Sequence, residues 1–264
     1  MERRNWSDRN RAAWTVRAYE YWCKHTGPPS EAARRMRHSP EAFVRRHIEY
    51  FGALSGKRVL NLFGSNGRKA VPLALLGASV TVIDFSRENM RYAMELAEHA
   101  GVTIRYLCTD IFDIEVKELA GAFDLVYAEG GILHYVSDLQ LLMSRIADFL
   151  RTNGTLVLDD FHPFARLIVP SLSGYTLEGD YFSPVPYEAE VAYAPAFSNG
   201  ERAGLPRCLQ KHWRMGEIVT AVAAAGMRVE ILKESRHLAL PHIPGYFTLV
   251  AERAGATGGD GVRS

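Results

Sequence analysis

An apolar run, Val59-Leu60-Asn61-Leu62-Phe63, passes directly into Gly64-Ser65-Asn66-Gly67 and then into a helical pattern over Gly67–Leu76. Small residues at such a turn let a ligand approach the backbone, and the first N–H groups of the following helix are free to meet a polar or anionic group. Asp84 closes the next apolar run, 17 residues beyond Gly67. From that place a carboxylate can accept both hydroxyls of a ribose. Turn and acid together describe a site for a nucleoside-containing cofactor. The plainer alternative is a tight turn with Asp84 capping the helix that opens Ser86-Arg87-Glu88.

Other polar residues follow later apolar runs: Glu129, His134 and Tyr135 after Asp124–Ala128, and Asp160 and His162 after Thr155–Asp159. A histidine or carboxylate at that edge could take a proton from a hydroxyl or protonated amine, worth about 10²–10⁴-fold in rate. His134, His162 and Asp160 are therefore the candidate bases. Glu129, Asp159, Asp160 and His162 also have the atom types a divalent cation takes. No metal motif accompanies them, and no metal is assigned.

These residues need elements to hold them. From Lys57 onward, short β-branched runs alternate with longer helical patterns, the cadence of βαβ units and a parallel sheet. Strands are expected over Arg58–Phe63, Ser79–Asp84, Thr103–Cys108, Asp124–Ala128, Thr155–Asp159, Arg228–Lys233 and Tyr246–Ala251. Helices are expected near Gly67–Leu76, Arg87–Ala100, Asp138–Leu150 and Met215–Ala225. Only the loop Glu234–Gly245 joins the last two strands, so they form a hairpin and the final strand runs against the others. Residues 1–55 read as a helical cap, broken at Thr26-Gly27-Pro28-Pro29 and resumed over Glu41–Tyr50. Residues 162–212, rich in Pro and Tyr, are too long for an ordinary connection and are expected to close over the site as a substrate lid. The main domain spans 56–253, and 254–264 read as a flexible tail.

The chain has 264 residues, 31 Lys+Arg against 30 Asp+Glu, and 47% hydrophobic residues. That is a folded chain of one elaborated domain without a global basic field for nucleic acid or membrane. Cys23, Cys108 and Cys208 form no CxxC and support neither a disulfide framework nor a zinc site. With no apolar leader or membrane-length run, a cytoplasmic protein is expected.

Over most of residues 56–253 the sequence resembles the class I S-adenosylmethionine-dependent methyltransferases. Their first motif reads as an apolar pair, an acid, then Leu-Gly-Cys-Gly-Thr-Gly. The aligned string here is Asn61-Leu62-Phe63-Gly64-Ser65-Asn66-Gly67, with Asn61 at the acid and Phe63 and Ser65 at two of the glycines. Val82-Ile83-Asp84-Phe85-Ser86 and Cys108-Thr109-Asp110-Ile111-Phe112 are similar to the motifs that meet ribose and adenine. Phe123–Tyr135 and Leu150–Leu158 are similar to the fourth motif and the turn into the fifth strand.

The resemblance implies a Rossmann-like α/β fold with seven strands in the order 3-2-1-4-5-7-6, strand 7 antiparallel, and an insert after strand 5. It implies S-adenosyl-L-methionine as cofactor and S-adenosyl-L-homocysteine as product, held by Asn61, Gly64, Ser65, Gly67, Asp84, Phe85, Asp110, Ile111 and Glu129. The activity implied is methyl transfer to an O, N or C atom of a small molecule, by a monomer or homodimer. Two alternatives accompany it. Ser65-x-Gly67-x-x-Ala70 is a partial dinucleotide fingerprint that would suit an NAD(P)-dependent oxidoreductase. The altered first motif would suit a non-catalytic S-adenosylmethionine-binding regulator.

Overall fold

A computed structural model describes residues 3–172 and 174–255. Four helices, α1 (Arg3–Thr15), α2 (Ala18–Thr26), α3 (Pro29–His38) and α4 (Pro40–Val44), precede β1 (Arg58–Leu62). Alternation follows through α5 (Ala70–Leu75), β2 (Ser79–Asp84), α6 (Arg87–Ala100), β3 (Arg105–Cys108), α7 (Val116–Leu119), β4 (Phe123–Glu129), α8 (Leu139–Phe149) and β5 (Leu150–Phe161). The insert holds β6 (Ile168–Ser171), β7 (Gly174–Leu177), β8 (Tyr187–Glu190), α9 (Asn199–Ala203) and β9 (Arg207–Gln210). The chain then forms α10 (Met215–Ala224), β10 (Met227–Arg236) and β11 (Pro244–Arg253).

The main sheet has seven strands in the order β10-β11-β5-β4-β1-β2-β3. With β10 and β11 as its sixth and seventh strands, this is the order 3-2-1-4-5-7-6. Strands β1 to β5 pair in parallel, whereas β11 is antiparallel to both β5 and β10. A short loop can join antiparallel neighbours, and only that pairing returns the chain to the sheet without a crossover helix.

Helices cover both sheet faces, so the central strands are buried on both sides. Side chains alternate: Val126 and Ala128 of β4 pack in one core with α8 and α10, while Leu125 and Tyr127 join the core built with α3, α5 and α6. Helix α6 opens with Ser86 accepting from the Asn89 N–H and closes at Gly101, whose φ is 74°. Between these caps it buries Tyr92, Ala93, Leu96, Ala97 and Ala100 at helical spacing, and each large side chain contributes roughly 1.5–3 kcal/mol.

Three expectations need correction. Pro28-Pro29 starts a helix as well as ending one, because Pro29 occupies the first turn of α3, where its missing N–H costs nothing. The helix after the Gly64–Gly67 turn begins only at Ala70. The expected Glu41–Tyr50 helix is α4 followed by a separate short turn of 3-10 helix over Ile48–Tyr50. Of the expected tail, residues 256–264 lie outside the described residues. Among the described residues no helix is long and apolar enough to cross a membrane.

The cap and the insert meet in a core of their own, formed by Ala13, Ala18, Val191, Tyr193, Ala194, Phe197 and Cys208. Asn10 joins them as a strand neighbour would. Its side chain accepts from the Leu209 N–H at 2.7 Å and donates to the Leu209 carbonyl at 3.0 Å.

Candidate active site

A cavity with about 190 Å³ open to the centre of a water molecule lies at the C-terminal ends of β1, β2 and β4, the switch point where open α/β sheets bind ligands. Asn61, Gly64, Ser65, Asp84, Phe85, Asp110 and Glu129 line it. Helix α1 supplies the facing wall through Trp6, Ser7, Asn10 and Trp14, with Trp22 of α2 alongside. Helix α1 is fixed there by Trp6 and Asn10, which donate to the Tyr135 carbonyl at 2.7 and 3.2 Å. Ser86 reaches up to the Trp14 carbonyl at 2.9 Å.

The turn after β1 keeps left-handed backbone where its glycines are replaced. Phe63 and Ser65 have φ of 52° and 46°, values rare for residues with a side chain and typical of strain held at functional sites. Gly64 is needed for space, because a Cβ there would meet Asn61 Oδ1 at 2.6 Å and Val82 Cγ1 at 2.8 Å. Gly67, with φ of +78°, does not line the cavity and instead seats the turn against Ala93 of α6.

Asp84 accepts from the Ser86 N–H at 2.9 Å and the Ser65 N–H at 3.2 Å. Burial pushes its carboxyl up to about 6 despite these donors. Asn89, which accepts from Trp22 Nε1 at 2.8 Å, also points its amide at Asp84. A line of contacts thus joins the cap to the acid. Asp110 spends one carboxylate oxygen on the Phe112 N–H at 3.0 Å while facing the cavity. Ile111 is packed in the core and is not part of the wall.

At the other end, Asn61 donates to the Tyr127 carbonyl at 3.2 Å, but its Oδ1 and the Ser65 hydroxyl are buried without hydrogen-bond partners. A buried acceptor left unpaired costs about 1–3 kcal/mol unless a ligand supplies the donor. Beside them Glu129 lies 3.2 Å from Lys69 Nζ and 3.8 Å from Arg68. Burial pushes the Lys69 ammonium below its usual range. The end of the cavity therefore offers unpaired acceptors, a carboxylate and two cations together, which is complementary to a zwitterionic amino-acid group.

A family model described as methyltransferase domain matches residues 59–154. Residues 59–154 are thus similar to a methyltransferase domain. It is 33% identical over 128 residues to a ubiquinone biosynthesis O-methyltransferase of Bradyrhizobium diazoefficiens, covering 47% of this chain and 49% of that protein. The chain thus spans about half the length of this relative. In structure it is similar to an S-adenosylmethionine dependent methyltransferase from Mesorhizobium loti, with TM-score 0.62 and 19% identity over 81% of this chain and 98% of the other. It also resembles magnesium protoporphyrin IX methyltransferase from Synechocystis PCC 6803 with bound SAH, with TM-score 0.58, 15% identity, and coverage of 92% and 97%.

The fold does not bring the three candidate bases into this cavity. Asp160 is spent on scaffolding: it accepts from the Ile132, Leu133 and Phe161 N–H groups at 2.9, 2.7 and 2.6 Å. Burial raises its carboxyl to about 6. His162 caps the following turn by accepting from the Phe164 N–H at 3.2 Å, and its Nε2 lies 2.8 Å from Glu234. Both ring nitrogens are engaged, leaving no lone pair for a substrate proton. His134 stacks against Tyr135 with ring centroids 4.1 Å apart. Burial, with Arg166 and His212 nearby, holds its imidazole well below the usual range, and it does not line the cavity. Asp159 and Asp160 point to opposite faces of the sheet, as neighbours on a strand must, so they cannot share one ion.

The insert also differs from expectation. None of its described residues walls the cavity; it clamps the cap that does. Among the aromatics, Trp14 and Trp22 line the site, whereas Tyr181 and Trp213 border a separate groove. Sequence reasoning assigned no role of their own to Trp6, Asn10, Arg68, Lys69 and Phe112, all of which line the cavity. Arg68-Lys69 directly follows the motif turn, and Trp6, Asn10 and Trp14 share one face of α1 at i, i+4 spacing.

Proposed function

We propose that the protein transfers a methyl group from S-adenosylmethionine to a small, largely apolar or aromatic acceptor, and that oxygen is the atom methylated. One observation carries this reading: a single cavity joins the strand-end residues Gly64, Asp84, Asp110 and Glu129 to the aromatic wall of Trp6, Trp14 and Tyr135. The choice of oxygen follows the O-methyltransferase named among the relatives.

When bound, S-adenosylmethionine supplies a methyl group already activated by its sulfonium. Asp84 would accept from the ribose hydroxyls, and Asp110 from the adenine amine, with Phe85 beside them. Asn61 Oδ1 and Glu129 would accept from the ammonium, and Lys69 with Arg68 would face the carboxylate. The cap excludes water and holds the acceptor, and orientation of this kind can supply about 7–11 kcal/mol of the barrier. Because His134, His162 and Asp160 lie outside the wall, none of the three is placed to take the acceptor's proton there.

Calorimetry with S-adenosylhomocysteine and with NAD(P), followed by labelled-methyl transfer to phenols, catechols and amines, tests this. Binding of S-adenosylhomocysteine alone and methylation of hydroxyls are expected. NAD(P) binding in its place would overturn the reading in favour of an oxidoreductase. Cofactor binding with no transfer across the panel would favour a regulator, and transfer only to amines would remove the choice of oxygen.

A further inference from the structure

We propose that Arg166 and His212, where the insert meets the end of β5, form a binding site for an anionic group, a carboxylate or phosphate, carried by the acceptor, an inference that rests on the function just proposed. Arg166 stands in the 3-10 turn Pro163–Leu167 that follows β5 and is half-buried. Its Nη2 donates to Gln210 Oε1 at 2.8 Å and to the Tyr187 hydroxyl. Tyr187 in turn donates to Gln210 Oε1 at 3.0 Å, the two being partners across the β8–β9 pair. Arg166 Nε donates to His212 Nδ1 at 3.2 Å, and the His212 ring stacks on Tyr187 with centroids 4.9 Å apart. The guanidinium is thus fixed on two of its edges.

Each of those partners is uncharged, whereas a guanidinium keeps its charge at any physiological pH. Holding it partly out of water without a counter-ion costs free energy. Asp160 feels its charge but is taken up by three backbone N–H groups, and among the described residues Arg166 forms only these neutral contacts. Lys211 adds a second cation nearby: its N–H donates to the His134 carbonyl at 2.9 Å, and its ammonium lies 3.9 Å from the centre of the Trp213 ring. A purely structural role does not call for an arginine, because the Tyr187–Gln210 bond closes without it.

Burial, with Arg166 beside it, holds the His212 imidazole below its usual range, so the ring has a single hydrogen near pH 7. Nδ1 accepts from Arg166, which puts that hydrogen on Nε2. Arg166 Nη1 donates to nothing among the described residues. Arg166 and His212 therefore offer N–H donors and a fixed positive charge with no acceptor, the chemistry that selects a carboxylate or phosphate. The pair adjoins the cavity. His134, which feels both groups, stacks on Tyr135 of the cavity wall at 4.1 Å and lies 6.2 Å from Phe161. The Phe161 ring fills the place that a side chain on Gly131, also in the wall, would take.

The test follows the histidine ring nitrogens by NMR in the full chain loaded with S-adenosylhomocysteine. Phenylacetate, 3-phenylpropionate and 4-phenylbutyrate are added, each against its neutral amide. At least one carboxylate is expected to shift the His212 signals while its amide leaves them unchanged. If no carboxylate shifts them, or the amides shift them equally, the proposal is overturned. Arg166→Gln is expected to weaken the best carboxylate about tenfold or more and to leave the affinity for S-adenosylhomocysteine unchanged. Unaltered affinity for the carboxylate, or loss of both ligands as from a merely structural role, overturns it. Should that variant not fold, the titrations of the unaltered protein decide. Inorganic phosphate that shifts the same signals at concentrations where the best carboxylate does not would make the ligand a free anion and overturn the assignment to the acceptor. Failure to bind S-adenosylhomocysteine would bring down the methyl-donor reading and the acceptor role with it, while spectra of the unloaded protein still show whether the anion site exists.

Discussion

Asp84 and Asp160 end two strands of the same sheet, are both nearly inaccessible, and are both raised by burial to about 6. They nevertheless do different work. Asp84 accepts from two backbone N–H groups and still forms part of the cavity wall. Asp160 accepts from three and lies outside it. A displaced pKa at the edge of an α/β sheet marks burial; the acceptor capacity left over and the surface it faces mark a site.

Replacing each acid should separate the two roles. The largest effect is expected for Asp160→Ala, which leaves the buried Ile132 and Leu133 N–H groups unpaired and should cost about 2–4 kcal/mol of stability. Denaturant titration measures it, and an unchanged midpoint would show that the loop finds other acceptors. Where this variant folds, its affinity for S-adenosylhomocysteine should be close to that of the unaltered protein.

Asp84→Ala should weaken S-adenosylhomocysteine by about 1.5–3 kcal/mol, through loss of charge-assisted hydrogen bonds to the ribose. Calorimetry on a folded variant with unaltered affinity would remove Asp84 from the site.

The smallest effect is a pH dependence. Both carboxyls have folded values above the ordinary 3.8, so the folded state holds extra protons in between. Their contribution to stability is full below about 4 and is lost as pH rises to about 6. Ribose hydroxyls donating to Asp84 would favour its ionised form, so binding should release that proton. Affinity for S-adenosylhomocysteine should then be flat above about pH 6 and fall by up to about tenfold per unit below it. In Asp84→Ala this slope should vanish, whereas in Asp160→Ala it should remain; a slope common to both would assign it to another group.

Much of the sheet could be read from the chain. Strands β1 to β4 and helices α6, α8 and α10 lie close to where periodicity and caps predict them, because alternation and capping act between near neighbours. Asp84 and Asp110 were legible for the same reason, each standing at the end of an apolar run. Helix α3 was not, since Pro28-Pro29 signals the end of one helix and the start of another with the same residues. The cap residues Trp6 and Asn10 looked like any amphipathic face until the insert came up against them.

Local sequence determined that a twisted parallel sheet would end in a small-residue turn beside two acids, since strand alternation, glycine geometry and helix caps depend on residues a few places apart. Tertiary structure decided which of the polar groups remained available. Asp160 meets the N–H groups of residues 27 and 28 positions away, and Asn10 meets Leu209 across 199. Pairings at such separations leave no local periodicity, yet they consume the lone pairs and protons on which chemistry depends. The free acceptor of Asn61 and the occupied ones of Asp160 and His162 thus differ only in what the rest of the fold delivers to them.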